Sequence, residues 1–296
     1  MKVFYSGAYV RPSYAFDTTR KAKWVADSLV AHPIDGVELQ EPRAVTAEEL
    51  ADIHDRGYVE AIRTGVPDDL ARSQGFMKWN PGVWDAVCAM SGGVVEAVHT
   101  AIKEGASGSL SSGLHHARRD SGAGFCTFNG LALGAKAAIK AGVRKVLILD
   151  LDAHGGRGTH SIVNLWREVT QLDISVCDFD TAYKPALPGR VVLVRKSQEY
   201  QRTIEAYLNV MERNGPFGVC LYNAGMDPFE GSAEGGLEGI TAAILRAREQ
   251  FVFSWCRRTK TPVAFVLAGG YTGPSCTKDE LVDLHRLTIE AAANIR

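Results

Sequence analysis

Short apolar runs alternate with longer segments of mixed polarity along most of the chain. Such runs are typical of strands buried on both faces of a parallel sheet, whereas the mixed segments suit helices with one buried face. The expected strands cover residues 2–6, 36–40, 109–112, 146–149, 169–175, 191–194, 218–223 and 263–267. The expected helices cover residues 17–29, 84–104 with an interruption at Gly92 and Gly93, 129–141, 197–213, 237–258 and 277–294, and another begins at Ala47 after the N-cap Thr46.

This alternation predicts an α/β fold with a doubly wound, mostly parallel sheet flanked by helices. The sequence contains no internal repeat, low-complexity tract or linker. We therefore expect residues 1–296 to form a single domain.

The composition excludes several classes of protein. The net charge is −1 and there are no basic blocks, so neither nucleic acid nor an anionic membrane is expected as a partner. No apolar stretch reaches the roughly 18–20 residues needed to span a bilayer, and the N-terminus lacks the pattern of a signal peptide. The 6 cysteines include no CxxC pair, so we expect reduced thiols and a cytoplasmic location. The oligomeric state stays open.

The apolar run at 146–149 ends in three residues that carry chemistry, Asp150, Asp152 and His154. Alternate side chains of an extended chain point the same way, so these three are expected to share one side. Leaving such groups buried and unpaired would cost about 1–3 kcal/mol for each polar group and more for a charge. A bound cation would remove that cost, so the segment indicates a metal site. The alternative is an Asp–His hydrogen-bonded pair that caps the next helix.

Three further glycine-rich loops follow expected strands and carry His115 with His116, Asp227, and Tyr271. Each is weak evidence alone. A single Asp after a strand is commonly a helix cap, a Tyr in such a turn commonly packs, and paired histidines commonly make local hydrogen bonds. The carboxyl ends of parallel strands meet at one edge of a sheet, so the four loops together indicate one site.

Taken together, these segments resemble the histone deacetylase family, which also includes acetylpolyamine amidohydrolases and acetoin-utilisation proteins. The matching motifs lie at residues 54–58, 113–129, 150–154, 224–228 with Gly235 and Gly236, and 269–271. The resemblance implies an arginase/deacetylase-like fold. It also implies a zinc-dependent hydrolase that removes an acyl group from an amine such as acetyl-lysine, an acetylpolyamine or another small N-acyl compound.

The resemblance further implies the roles of the site residues. Asp152, His154 and Asp227 would bind one Zn²⁺ ion and leave a coordination position for water and substrate. His115 and His116 would transfer protons during hydrolysis.

Other positions follow from the same resemblance. Tyr271 would donate its hydroxyl to the oxyanion, and Asp150 would orient His115. Gly124 and Phe125 would line the slot for the acyl-lysine stem or an equivalent chain. A structural monovalent cation such as K⁺ would bind near the metal motif, where Asp150 and Asp173 would contribute.

The related arginases bind two manganese ions, and the chain lacks the carboxylates for a second one. Gly156 stands where the arginase metal motif has its last Asp, and Gly225 precedes Met226 and Asp227 where the later motif has another acid. The sequence therefore favours a single-metal amide hydrolase over a ureohydrolase.

The chain departs from the deacetylase pattern in two places. Arg157 replaces the Asp or Asn that normally supports the second histidine, so His116 is expected to lack a carboxylate partner. A nearby cation disfavours the protonated imidazole, so His116 should titrate below His115 and serve as a neutral general base, and Arg157→Asp should raise the pKa of His116. The loop after Ser175 is short, so Tyr183 would replace a missing tunnel wall or the site would be more open.

Two other functions stay open at this point. The same machinery could hydrolyse an ester or thioester. The chain could also be a metal-binding protein of deacetylase fold with little turnover, a reading that Arg157 favours and the complete set of Asp152, His154, Asp227 and Tyr271 opposes.

Overall fold

The computed structural model describes residues 1–12 and 19–294. Its strands are β1 (Lys2–Phe4), β2 (Glu38–Gln40), β3 (Ala106–Ser109), β4 (Val146–Asp150), β5 (Val169–Ser175), β6 (Arg190–Leu193), β7 (Val219–Asn223) and β8 (Val263–Val266). Its α-helices are α1 (Lys21–Ala31), α2 (Ala47–Leu50), α3 (Arg56–Thr64), α4 (Asp68–Ala71), α5 (Gly82–Glu104), α6 (Gly130–Lys140), α7 (Arg157–Val163), α8 (Ser197–Arg213), α9 (Ala242–Thr259) and α10 (Lys278–Ala293).

The strands form one open sheet of 8 strands in the order β2-β1-β3-β8-β7-β4-β5-β6. Every neighbouring pair is parallel, which confirms the predicted sheet and makes it more uniform than "mostly parallel". Strands β3, β8, β7 and β4 are adjacent in the middle of the sheet. The loops that follow these four strands are the four glycine-rich loops that carry the candidate chemistry, so the topology brings them to one edge.

The sheet is buried on both faces, which explains the unbroken apolar character of its central strand. In β4, Leu147 and Leu149 pack into one hydrophobic cluster, and Val146 and Ile148 pack into another. All four side chains are fully buried. A strand covered by helices on both sides needs apolar residues at every position.

Some element bounds match the prediction and others differ. Strand β5 and helix α8 lie at the predicted residues. Strand β3 covers Ala106–Ser109, so the predicted range 109–112 is wrong, because the run Ala-Ser-Gly-Ser lacks the apolar character that identified the other strands. Helix α9 begins after Thr241, whose side chain accepts from the amide of Ile244, so the predicted start at residue 237 is wrong.

Other helical predictions differ at their ends. Residues 17 and 18 of the first predicted helix lie outside the described residues. Helices α3, α4 and α7 were not predicted, because stretches of 9, 4 and 7 residues are too short to show a helical period. The N-cap Thr46 is confirmed and forms a capping box with Glu49.

Helix α5 runs through Gly92 and Gly93 without the predicted interruption. A Cβ at Gly92 would overlap the backbone carbonyl oxygen of Arg43, and a Cβ at Gly93 would overlap the hydroxyl of Tyr9. The two glycines therefore serve close packing of other segments against a continuous helix.

None of the helices in the described ranges has both the length and the apolar content needed to cross a membrane.

The close approach at Gly92 gives a stability prediction. Gly92→Ala should lower the free energy of unfolding by about 1–3 kcal/mol, because the new methyl group meets rigid backbone atoms and outweighs the gain in helix propensity. Gly7→Ala is the matched control, since a Cβ at Gly7 meets no atom within 4 Å. Urea unfolding of both variants measures the difference, and equal stabilities would contradict the packing argument.

Candidate metal site

Asp152 and His154 follow strand β4, and Asp227 follows strand β7, the neighbouring strand. One ligand atom from each of the three lies within 4.8 Å of the others. The Nδ1 atom of His154 is 3.1 Å from an Asp152 carboxylate oxygen and 3.2 Å from an Asp227 oxygen. The structure thus brings together the three residues that the sequence predicted as metal ligands.

Backbone amides hold the two carboxylates in place. The amide of Gly269 donates to Asp152 at 2.6 Å, and the amide of Ala153 donates to Asp227 at 2.9 Å. The second oxygen of Asp227 is buried and accepts no hydrogen bond from any described residue, and it is the oxygen that lies 3.2 Å from Nδ1 of His154. A buried carboxylate oxygen that receives no hydrogen bond and faces another candidate ligand is available for a cation.

The electrostatics of the group also suit a cation. Burial and the Asp152 charge raise the pKa of Asp227 to about 6. Burial alone would lower the pKa of His154, but the two carboxylates outweigh it and raise that pKa to about 11. Two buried carboxylates so close together repel each other unless a positive charge lies between them.

Glycines leave room for such an ion. A Cβ added to Gly225 or to Gly269 would lie against carboxylate oxygens of both Asp152 and Asp227. Two carboxylates and an imidazole form a ligand set that a divalent transition metal accepts, and three ligands leave a position free. Among the described residues, the group of His, Cys, Asp and Glu side chains that could hold a metal ion consists of Asp152, His154 and Asp227.

His115 lies beside this group and pairs with Asp150. Its Nδ1 atom is 2.7 Å from an Asp150 oxygen, and its Nε2 atom is 3.6 Å from Asp152. The other Asp150 oxygen accepts from the side-chain amide of Asn223 at 2.8 Å, which fixes the carboxylate. Burial opposes the charged imidazole, but Asp150 and Asp152 outweigh burial and raise the pKa of His115 to about 10.

His116 does have a carboxylate partner, so the expectation that Arg157 leaves it without one is wrong. Its Nδ1 atom is 3.0 Å from a carboxylate oxygen of Asp180, in the loop between β5 and β6. The amide of Gly155 bonds the carbonyl of Phe179 at 2.9 Å and holds this loop over the metal motif. Arg157 begins helix α7 and its side chain is exposed.

The predicted order of the two histidine pKa values is confirmed, for a different reason. Burial and the charge of His115 lower the pKa of His116 to about 4, although Asp180 opposes the shift. His116 is therefore neutral near pH 7. With Nδ1–H directed at Asp180, its Nε2 atom carries the free lone pair.

Two exposed phenylalanines lie near the histidines. Gly124 and Phe125 both have positive φ, and a Cβ on Gly124 would meet the ring of His116. Phe125 is 38% exposed and Phe179 is 49% exposed, although both are large and apolar. The Phe179 ring meets the ring of His116 edge-on at 5.0 Å and that of His154 at 6.1 Å. Such side chains can line a slot for an alkyl chain.

Phe179 takes the place that the sequence assigned to Tyr183. The hydroxyl of Tyr183 bonds Asp173, and its ring stacks on His160 at 4.8 Å, so Tyr183 does not line the slot. Sequence reasoning missed Phe179 and Asp180. The one signal for them is an aromatic residue between two acidic residues in the segment Cys-Asp-Phe-Asp at 177–180.

Asp173 lies beside Asp150 across the β4–β5 pair. It accepts from the amide of Gly156 at 2.7 Å, from Gln171 and from Tyr183. Burial and the charge of Asp150 raise the pKa of Asp173 well above its usual range. The two residues predicted to contribute to a monovalent cation site are therefore adjacent.

Tyr271 lies in the loop that follows β8. Gly270, which precedes it, has φ of 153°, and a Cβ there would meet the ring of His285. Burial, followed by the charges of Asp227 and Asp152, raises the pKa of Tyr271 well above its usual range. The phenol therefore keeps its proton and can donate a hydrogen bond near the metal ligands.

Comparisons with known proteins agree with this geometry. The model of the protein family described as "Histone deacetylase domain" matches residues 15–281 of the chain. The chain is 24% identical to histone deacetylase 2 of Arabidopsis thaliana over an alignment 298 residues long, gaps included, and the alignment covers 92% of this chain and 74% of that protein. It is 33% identical over 205 residues to the acetoin utilization protein AcuC of Staphylococcus aureus strain Mu50, covering 65% of this chain and about half, 51%, of that protein.

A solved structure shares the fold. The crystal structure of the HDA15 HD domain superimposes with a TM-score of 0.80 at 19% sequence identity. The match covers 99% of this chain and 91% of that one. The fold is therefore shared over nearly the whole chain.

The contact between His116 and Asp180 replaces the earlier expectation for Arg157. Asp180→Ala should lower kcat/KM about 10–100-fold, the usual scale for a residue that orients a catalytic histidine. A carboxylate favours the protonated imidazole, so its removal should also lower the pKa of His116 and move the acidic limb of the pH profile to lower pH.

Arg157→Asp is the comparison variant. Because Arg157 is exposed and screened by solvent, this change should leave the acidic limb within about 0.3 pH units of wild type. An acidic limb that moved upward in Arg157→Asp and stayed in place in Asp180→Ala would reverse the assignment.

Proposed function

Because the chain belongs to the histone deacetylase family, we propose that it is a zinc-dependent hydrolase that removes an acyl group from an amine. The substrate would be an acetyl-lysine side chain, an acetylpolyamine or another small N-acyl compound. One observation carries the proposal, namely that the group Asp152, His154 and Asp227 lies at the same sheet edge as two histidine–carboxylate pairs and Tyr271.

Asp152, His154 and Asp227 would hold the zinc ion. When bound, zinc polarises an amide carbonyl and makes water more acidic. The protein then has to remove a proton from water, stabilise negative charge on the carbonyl oxygen and protonate the departing amine.

His116 is suited to the proton transfers. It is neutral near pH 7, since its pKa is lowered to about 4, and Asp180 holds Nδ1–H. Its Nε2 atom can therefore accept a proton from the attacking water and later deliver that proton to the amine nitrogen.

His115 and Tyr271 are suited to stabilise negative charge. Asp150, which is hydrogen-bonded to His115, raises the pKa of this imidazole and favours its protonated form. Tyr271 keeps its hydroxyl proton and would donate it as a hydrogen bond to the oxyanion. Asp150 fixes the orientation of His115.

The slot residues support a substrate with a narrow apolar stem. The backbone at Gly124 lies directly against the ring of His116, where a Cβ would not fit, and Phe125 and Phe179 offer exposed aromatic surface. A lysine or polyamine methylene chain has this shape. The pair Asp150 and Asp173 supports a monovalent cation such as K⁺ as a second, structural ion.

Hydrolysis of an ester or thioester would use the same groups. The presence of His116, Asp180 and Tyr271 beside the candidate metal ligands opposes the view that the protein only binds metal. Turnover of a fluorogenic acetyl-lysine peptide, acetylpolyamines and an acyl ester by the zinc-loaded protein separates these functions. Metal binding without hydrolysis of any of them would refute the enzyme proposal.

The number of metal ions is a direct prediction. Elemental analysis should find one tightly bound transition-metal ion per chain, because the described residues offer one three-ligand group. Asp227→Ala should lose it, since a catalytic zinc with two remaining ligands binds weakly. Two tightly bound ions per chain would favour the arginase-like alternative.

Tyr271 gives a prediction on rate. Tyr271→Phe should lower kcat roughly 10²–10³-fold, the scale of a lost oxyanion donor, while the metal content stays unchanged. Tyr207→Phe on helix α8 is the control and should keep normal kcat, because Tyr207 packs against the hydrophobic core. A near-normal kcat in Tyr271→Phe would remove its hydroxyl from the mechanism.

A further inference from the structure

Helix α9 carries a fully buried arginine, Arg248. It contacts both metal-bearing segments, by which we mean the two segments after β4 and β7 that carry the candidate metal ligands. Its Nη1 atom donates to the backbone carbonyl of Leu151 at 3.2 Å. Its Nη2 atom lies 3.6 Å from the sulfur of Met226. Leu151 lies between Asp150 and Asp152, and Met226 directly precedes Asp227. One guanidinium therefore bridges the segment after β4 and the segment after β7.

The guanidinium is itself held in a fixed position. Its Nε atom donates to Glu249 at 2.7 Å, and Nη1 also donates to the hydroxyl of Tyr200 at 3.1 Å. Tyr222, on strand β7, donates to the same Glu249 oxygen at 2.6 Å. The planar fork of arginine has fixed directions, so these partners determine where its remaining N–H groups point.

A buried ion pair is an expensive way to fill space. Well-packed apolar residues of similar volume are commonly as stabilising, so such a pair needs no retention for stability alone. The Arg258–Glu212 pair also joins α9 to α8, at 2.6 Å, but it is exposed and contacts neither metal-bearing segment. Arg248 differs from it by its contacts with Leu151 and Met226.

We propose that Arg248 is a positioning residue that fixes Asp152 and Asp227 relative to each other, so that both carboxylates meet one metal ion. The peptide carbonyl of Leu151 sets the direction in which the chain leaves β4, and the contact with Met226 sets the turn before Asp227. The inference rests on the metal site of the proposed function. Its action would be on the geometry of the metal ligands, because the guanidinium contacts Leu151 and Met226 beside the ligands and forms no hydrogen bond to Asp152, His154 or Asp227.

The test compares Arg248→Met and Arg248→Lys with two controls. Arg258→Met removes the exposed tie between α9 and α8, and Val252→Ala creates a cavity at a fully buried position of the same helix. Each metal-free variant is checked for folding by circular dichroism and for stability by thermal unfolding. Zn²⁺ affinity is then measured by competition with a chelating dye, and the visible absorption spectrum is recorded with Co²⁺ in place of Zn²⁺.

Arg248→Met should weaken Zn²⁺ binding about 10–100-fold and change the Co²⁺ spectrum, as expected for a residue that orients metal ligands. Arg248→Lys should lie between wild type and Arg248→Met, because an ammonium group cannot reach both segments in the same way. Arg258→Met and Val252→Ala should keep the wild-type affinity and spectrum even where their melting temperatures fall.

A folded Arg248→Met variant with lower stability but unchanged Zn²⁺ affinity and Co²⁺ spectrum would overturn the inference. If Arg248→Met does not fold, an Arg248→Lys variant with wild-type Zn²⁺ affinity and a wild-type Co²⁺ spectrum would overturn the inference. These readouts do not depend on catalysis. Wild-type protein that binds metal but hydrolyses no acyl compound would refute the proposed function and leave the Arg248 measurements to decide this inference.

Discussion

The mutual repulsion of Asp152 and Asp227 is the constraint on which the rest of the site depends. Both carboxylates are buried at one edge of a parallel sheet, and His154 lies within 3.2 Å of each. Such a group is stable only with positive charge inside it and donors around it. The amides of Gly269 and Ala153, and the absence of side chains at Gly225 and Gly269, meet that requirement and leave space for an ion.

The same negative charge gives the two histidines, His115 and His116, different pKa values. His115 faces Asp150 and Asp152, so it gains a proton and keeps it. His116 lies next to that positive charge and is buried, so it stays neutral despite its bond to Asp180. Two adjacent histidines thus acquire different charge states, one protonated and one neutral. The protonated imidazole is suited to stabilise negative charge, and the neutral one is suited to transfer protons.

Much of this arrangement can be predicted from the sequence because its causes are local. Strands buried on both faces must be apolar throughout, so Val146 to Leu149 identify β4 without a structure. The carboxyl ends of parallel strands converge, so Asp152, Asp227, His115 and Tyr271 are placed at one edge by their order after strands. Element bounds such as the start of α9 depend on caps and turns and are less certain, as Thr241 shows.

Contacts between distant segments were decided only by the tertiary structure. Asp180 supports His116 from 64 positions away, and Arg248 reaches Leu151 from 97 positions away. No periodicity links such pairs, because the packing of loops and helices against the sheet sets their distance. The sequence by itself determined the parallel sheet and the set of chemical groups at its edge. The tertiary structure decided which carboxylates face which histidine, and because both imidazoles are buried, those carboxylates then decided which of the two is protonated.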